Sequence, residues 1–212
     1  MYNAKNPSPN FLSLENYYKK IHKEGIDGDD PSMVYNGIST MVFVEIIKKI
    51  IEKNKLKTLL DYGSGKGDRY FNQSKFLEQN YPPLKKFWNI DPILFDPGVP
   101  YEKPLHKNFD IVISIDVLEH IPVEDLNWVI EEIFDFSRKV VFLNVACYPA
   151  DKILPNGKNA HVSIFYPLWW FGFISCIASK FKKKCFLVCT TIENGNRKYH
   201  NFAINDKFEN YH

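Results

Sequence analysis

The spacing of apolar positions changes period several times along the chain, and each change marks an element. Over residues 11–23, Leu12, Leu14, Tyr17, Tyr18 and Ile21 recur at roughly helical intervals, and the Gly/Asp/Pro-rich stretch 25–31 ends the pattern, which predicts an accessory helix and a turn. A second helix is predicted over 39–52, capped by Ser39, with Phe43, Ile46, Ile47, Ile50 and Ile51 as a stripe against Lys48, Lys49 and Lys53. Residues 57–62 read as a short buried strand, 63–67 as a tight glycine loop, and 69–80 as the helix that follows. An apolar strand over 87–96, split by Pro92, is joined by a Pro/Gly-rich connection to a near-continuous apolar strand over 109–115. Leu126, Val129, Ile130, Ile133 and Phe134 then stand at i, i+3, i+4, i+7 and i+8, an amphipathic helix over 125–136, before another buried strand at 139–145. A helix over 167–180 and two strands, 185–192 and 198–205, paired through the turn at 193–196, complete the chain. Alternating strands and helices predict an open α/β sheet with helices on both faces.

Composition narrows this picture only slightly. The length of 212 residues fits one domain with extensions, and 45% hydrophobic with 25% charged residues is ordinary for a folded globular chain. A net charge of +2 lacks the basic excess of duplex-binding proteins, so bulk electrostatics name no partner. Cys147, Cys176, Cys185 and Cys189 form no C-x-x-C pair, which suggests buried thiols in a reducing compartment in place of a zinc or redox site. The polar, Pro/Asn-rich start does not read as a secretory signal, and a cytoplasmic location is expected. Residues 162–179 carry no charge and precede Lys182, Lys183 and Lys184; their length is marginal for a membrane span, and Pro167, Gly172 and Ser175 argue against one.

The glycine loop, Asp61-Tyr62-Gly63-Ser64-Gly65-Lys66-Gly67, occupies the strand-to-helix junction at which open α/β sheets bind ligands. A P-loop is excluded, because Leu60 stands where its first glycine belongs and Gly67 where Ser or Thr should follow the lysine. The dinucleotide pattern G-x-G-x-x-G also fails, with its third glycine one residue early and Asp68 in its place. Asp61 would repel a pyrophosphate but suits the amino group of a zwitterionic ligand; the alternative is a tight turn that holds no ligand.

Here the chain resembles the class I S-adenosylmethionine-dependent methyltransferases, whose first motif is an acidic residue followed by G-x-G-x-G, matched by Asp61, Gly63, Gly65 and Gly67. The segment DIVISIDVLEHIP at 110–122 is similar to the fourth-strand motif of many small-molecule members. DPGVP at 96–100, ACYPA at 146–150 and LPNGKNAHV at 154–162 resemble a bacterial and phage subgroup of unassigned substrate, and the likeness spans about 35–170. It implies a Rossmann-like fold over 35–212 preceded by an accessory helix and lid segment at 1–34. It also implies S-adenosyl-L-methionine as cofactor, contacted by Asp61, Gly63, Ser64, Gly65, Gly67, Asp116 and Val117. A carboxylate after the second strand should hold the ribose; of Asp91 and Asp96, the D-P-G-V-P context selects Asp96. Only 13 positions separate Asp96 from Phe109, too few for the family's third strand and its helices, so the expected order is 2-1-4-5-7-6 with the last strand antiparallel.

Methyl transfer from a sulfonium is an in-line displacement that needs alignment, exclusion of water and, for a hydroxyl or ammonium acceptor, a base. His161 and His120 are the candidate bases, each following a strand at the expected ligand end; no metal is called for, and no ligand cluster is evident in the spacing. The aromatic stretch Phe165, Tyr166, Trp169, Trp170, Phe171, Phe173 either packs as core, walls an acceptor pocket, or rests on a bilayer surface beside the three lysines. The expected acceptor is an O or N atom of a small molecule or glycan. A base-amine motif of the N/D-P-P-Y/F type is missing after the fourth strand, so DNA is not expected. A catalytically idle cofactor-binding module that regulates a partner, or a membrane-surface enzyme with a lipid-linked acceptor, is the competing reading.

Overall fold

The computed structural model describes residues 2–26, 28, 30–104 and 108–208. Helix α1 (Pro9–Glu24) leads through a 3-10 turn at Pro31–Met33 to α2 (Ile38–Met41) and α3 (Val44–Asn54). The chain continues as β1 (Thr58–Tyr62), α4 (Asp68–Phe71), β2 (Ser74–Phe76), β3 (Gln79–Tyr81), α5 (Leu84–Phe87), β4 (Asp91–Phe95) and β5 (Phe109–Ile115). A 3-10 turn at Leu118–His120 precedes α6 (Leu126–Phe136), β6 (Ser137–Ala146), α7 (Pro167–Ala178), β7 (Lys184–Glu193) and β8 (Asn196–Ile204). Of the predicted turn at 25–31, Asp27 and Asp29 lie outside the described residues, as do Leu105, His106 and Lys107 of the Pro/Gly-rich connection.

Six strands form one open sheet in the order β4-β1-β5-β6-β7-β8, parallel except for β8, which runs antiparallel to β7. Successive residues of the central strands alternate between two cores. Leu59, Ile111, Ile113, Val140 and Phe142 pack with α3, whereas Leu60, Val112, Val141 and Leu143 pack with α6 and α7. The mostly parallel sheet with helices on its faces is consistent with a Rossmann-like architecture.

The strand order departs from expectation. The order 2-1-4-5-7-6 would set the final strand between β6 and β7; instead β7 pairs with β6 and β8 lies at the edge. The physical reason is polarity. β7 carries Cys185, Phe186, Leu187, Val188 and Cys189, buried on both faces, while β8 brings Arg197 and Lys198 to a solvated edge. At the other end the sheet stops at β4, which tolerates Pro92 because an edge strand has a free hydrogen-bonding side.

Two further expectations are corrected. The predicted helix over 69–80 is a single turn, α4, followed by the β2–β3 hairpin. Its two turn residues, Leu77 and Glu78, both adopt positive φ, 45° and 63°, the backbone of a tight hairpin turn without the usual Gly or Asn. Ser39 does not cap a helix: Gly37 precedes α2, and the Ser39 hydroxyl donates to Asp116 Oδ2 at 2.9 Å. Of the four cysteines, Cys185 and Cys189 are buried as expected, but Cys176 is exposed and Cys147 half-buried.

Helix α1 lies over the C-terminal ends of the strands. Ser8 caps it by accepting from Phe11 N–H, Pro9 starts it, and Leu14 and Ile21 bury against Val34, Leu154 and Ala160. Asp125, just before α6, pins its start by accepting from Ser8 N–H at 3.0 Å and from the Trp128 indole at 2.7 Å.

Two fully buried tryptophans offer a test of the packing. The Trp88 indole donates to the Val44 carbonyl at 2.9 Å, whereas Trp170 Nε1 has no partner among the described residues. Replacement by Phe discards a hydrogen bond at one site and an unsatisfied donor at the other. Trp88→Phe is therefore expected to cost at least about 1 kcal/mol more stability than Trp170→Phe in urea titrations, and equal losses would contradict this assignment.

Candidate functional site

The loop after β1 is shaped by its neighbours on three sides. Gly63 N–H and Ser64 N–H both donate to the Phe95 carbonyl at 2.7 and 3.1 Å, and Gly65 N–H donates to Asp96 Oδ2 at 2.9 Å. Gly63 and Gly65 adopt φ of 88° and 56°; a Cβ at Gly63 would stand 2.3 Å from Val117 Cγ2, and one at Gly65 2.2 Å from the Tyr35 carbonyl oxygen. Glycine is required at both positions by backbone conformation and by crowding from this chain itself.

Beside the loop lies a cavity of about 130 Å³, between the ends of β1 and β5, where successive connections leave in opposite directions. Gly63, Ser64 and Gly65 form one wall; Asp96 and Pro97 follow β4; Ile115, Asp116 and Val117 close β5. Tyr18 and His22 of α1, with Tyr35 and Ser39, cover it. Two predicted cofactor residues lie outside this lining. Gly67 packs against Leu94. The Asp61 carboxylate is 2% exposed and accepts from the Tyr70 hydroxyl at 2.8 Å, and burial pushes its pKa up to about 7 against that hydrogen bond.

Asp96 stands at the ligand end of the sheet. Its Oδ1 accepts from Gly98 N–H at 2.7 Å, and His22 Nε2 lies 3.7 Å from the same oxygen. Asp91 pairs with Thr58 at the opposite end of β4 and takes no part in the cavity.

At Asp116 four titratable side chains converge: Asp116, Glu119, His120 and His161. Asp116 itself adopts φ 61°, a conformation that Asp tolerates better than most residues, and its backbone N–H donates to the Asn144 carbonyl. Glu119 is fully buried: Oε1 accepts from Ala146 N–H at 2.5 Å, while Oε2 meets no N–H donor among the described residues and the Asp116 carboxyl lies within hydrogen-bonding reach of the Glu119 carboxyl. Its burial, reinforced by the charge of Asp116, holds its pKa well above the carboxylate range. One ring nitrogen of His161 and one oxygen each of Asp116 and Glu119 lie within 4.8 Å of one another.

Both histidines are anchored through Nδ1. His161 Nδ1 is 2.6 Å from the Tyr148 carbonyl, and His120 Nδ1 is 2.9 Å from the Ala160 carbonyl and 2.7 Å from the Tyr18 hydroxyl. A carbonyl only accepts, so the Nδ1 atoms carry the protons and the Nε2 atoms present lone pairs. Burial lowers the His120 pKa to about 4, so this ring is neutral at pH 7. The two rings meet edge to face with centroids 4.8 Å apart. His120 lines the smaller cavity, and His161 lines a second one of about 370 Å³ together with Asn10, Leu14, Pro122, Glu124 and Asn159.

The fold thus brings Gly63, Ser64, Gly65, Asp96, Asp116, Val117 and His120 to one cavity, with His161 behind His120. The sequence reading missed Glu119, Tyr148 and the anchoring of His120 by Tyr18, and the spacing did not reveal that the fold groups Asp116, Glu119 and His161. Asp116 and Glu119 lie three positions apart in sequence, but His161 is brought to them only by the loop after β6, through Val162 and Ser163 N–H donating to the Glu119 carbonyl at 2.8 and 2.9 Å. Position 119 offered one clue, a second acidic side chain three residues after Asp116 and next to His120.

The aromatic stretch packs away from both cavities. Trp170, Ile174 and Ile177 enter the core over β6 and β7, and Phe165, Trp169 and Phe173 stack in a ladder with centroids 3.8 and 4.9 Å apart. Among the described residues no helix is long and apolar enough to cross a membrane. Comparison with protein-family models and with curated proteins finds no match to this chain.

Proposed function

We propose that the chain is an S-adenosylmethionine-dependent methyltransferase acting on an O or N atom of a small molecule or glycan. The observation that carries this reading is the cavity at the β1/β5 crossover, where a glycine loop, Asp96 and the Asp116-Val117 pair meet. The donor group set fits such a cofactor. Asp96 has lone pairs left beyond its two backbone donors for a ribose diol, Ile115, Val117 and Pro97 supply apolar surface, and the loop backbone approaches the amino-acid end. Asp61, held by Tyr70, acts on the ligand only through the loop that it precedes.

At about 130 Å³ the cavity is smaller than the ~300 Å³ or more usual for small-molecule sites, so α1 and Tyr35 must lift for the donor to enter, and His22 must leave Asp96. The bound cofactor would supply a sulfonium-activated methyl group. This chain's residues do the rest: Tyr18, His22 and Tyr35 exclude water, the larger cavity receives the acceptor, and the Nε2 atom of His161, oriented by the Tyr148 carbonyl, takes the acceptor proton.

Calorimetry with S-adenosylhomocysteine and transfer of labelled methyl into lysate small molecules test the proposal together. Saturable binding and label transfer are expected; His161→Ala should lower transfer at least ~100-fold while leaving the binding isotherm in place. Binding without transfer by the wild-type chain would favour the idle regulatory module, and the lack of binding would remove the cofactor assignment.

A further inference from the structure

We propose that Asp116, Glu119 and His161, with His120 beside them, form a binding site for one divalent first-row transition-metal ion of the Mn²⁺, Fe²⁺ or Zn²⁺ class. Ligand atoms of the first three already lie within 4.8 Å of one another, close enough that small side-chain rotations would bring them onto one ion.

Two independent features point to a cation there. Glu119 is fully buried, yet Oε2 meets no N–H donor among the described residues and the Glu119 carboxyl faces the Asp116 carboxyl, while Oε1 is fixed by Ala146 N–H. An orphaned carboxylate oxygen inside a protein is costly unless a cation or a proton meets it. Further, both imidazoles donate Nδ1–H to backbone carbonyls, of Tyr148 and Ala160, which is the outer-shell arrangement that turns Nε2 into a metal ligand. His161, so anchored and beside two carboxylates, completes a preformed donor set, and the His120 ring packs edge to face against it with centroids 4.8 Å apart. Asp116 is likewise held from outside by the Ser39 hydroxyl.

The donor types choose the ion. The imidazole nitrogen of His161 disfavours Mg²⁺ and Ca²⁺, which take oxygen ligands, and the lack of a cysteine in the set disfavours thiophilic ions. Two carboxylates would be neutralised by one 2+ charge, which removes the repulsion between them. A proton shared by Asp116 and Glu119 is the competing occupant, and the metal titration distinguishes the two.

His161 also lines the larger cavity, so an ion held here stands next to the acceptor; with His161 Nε2 engaged as a ligand, the ion, by drawing down the pKa of an acceptor hydroxyl, replaces the base role that the metal-free imidazole would have. That consequence rests on the proposed methyl transfer; the binding itself does not.

The test uses the full chain stripped with chelator and dialysed, titrated with MnCl₂ while free Mn²⁺ is followed by its paramagnetic resonance signal, and with ZnSO₄ by calorimetry. Saturable one-to-one binding of at least one of these ions is expected, with Glu119→Gln and His161→Gln each weakening it at least ~100-fold. Glu119→Gln keeps the acceptor for Ala146 N–H and so should fold; circular dichroism checks this, and the wild-type titration stands whatever the variants do. No saturable binding of either ion by the wild type, or unchanged affinity in both folded variants, would overturn the proposal. S-adenosylhomocysteine calorimetry on the same stripped chain separates the two readings, since its success with metal binding lost removes only this inference.

Discussion

Asp96→Ala is expected to weaken S-adenosylhomocysteine binding at least ~100-fold and, separately, to lower folding stability by about 3 kcal/mol. The carboxylate is the link between the ends of β1 and β4: Oδ2 receives Gly65 N–H from the glycine loop and Oδ1 receives Gly98 N–H from its own turn. Hydrogen bonds to a charged acceptor contribute about 1.5–3 kcal/mol each, so losing two in a half-buried setting sets the scale of the stability loss. The binding loss has a different origin, because the remaining lone pairs of the same carboxylate are those that the proposal gives to the ribose. The two effects are separable by measurement. Urea titration reads the first, and calorimetry at a temperature where the variant is fully folded reads the second. Retained affinity in a loosened but folded variant would leave Asp96 as a purely structural clamp.

The second large effect is a pH dependence seated at Asp61. Its folded-state pKa of about 7 stands above the ordinary 3.8, chiefly because the carboxylate is buried. Below about pH 4 both folded and unfolded chains hold the proton, and the folded state bears no ionisation cost. Between about 4 and 7 the folded chain keeps a proton that the unfolded chain has released, so stability falls as pH rises. Above about 7 the folded state carries the full cost, roughly 4 kcal/mol for a difference of three pH units. Asp61→Asn cannot ionise, and its side-chain oxygen still accepts from the Tyr70 hydroxyl. The variant should therefore gain stability relative to the wild type on going from pH 5 to pH 8, as a growing difference in urea midpoint. Parallel stability profiles over that range would show that Asp61 is not held in this state.

Legibility followed the kind of interaction that encodes each feature. The strand over 109–115 and the helix at 126–136 were readable almost to the residue, because burial on two faces or on one stripe writes itself as an unbroken apolar run or as a 3.6-residue period. The hairpin at 74–81 was not readable, because its turn places Leu77 and Glu78 at positive φ with no glycine or asparagine to announce it. For the sheet edge, the polar residues of β8 against the apolar run of β7 carried the information, but the family resemblance pointed to another order.

At the candidate site the same distinction holds. The glycine loop, Asp96 and Asp116-Val117 were legible because each directly follows a strand, and in a parallel sheet all strand ends of one polarity gather on one side. Local periodicity and junction chemistry therefore determined the α/β class, most elements, and which strand ends carry polar residues. Tertiary structure alone decided that Asp61 turns to Tyr70, that α1 covers the cavity, and that Glu119 faces His161. These depend on contacts between separate segments of the chain, and no short-range pattern records a meeting that only the assembled sheet and its returning loops enforce.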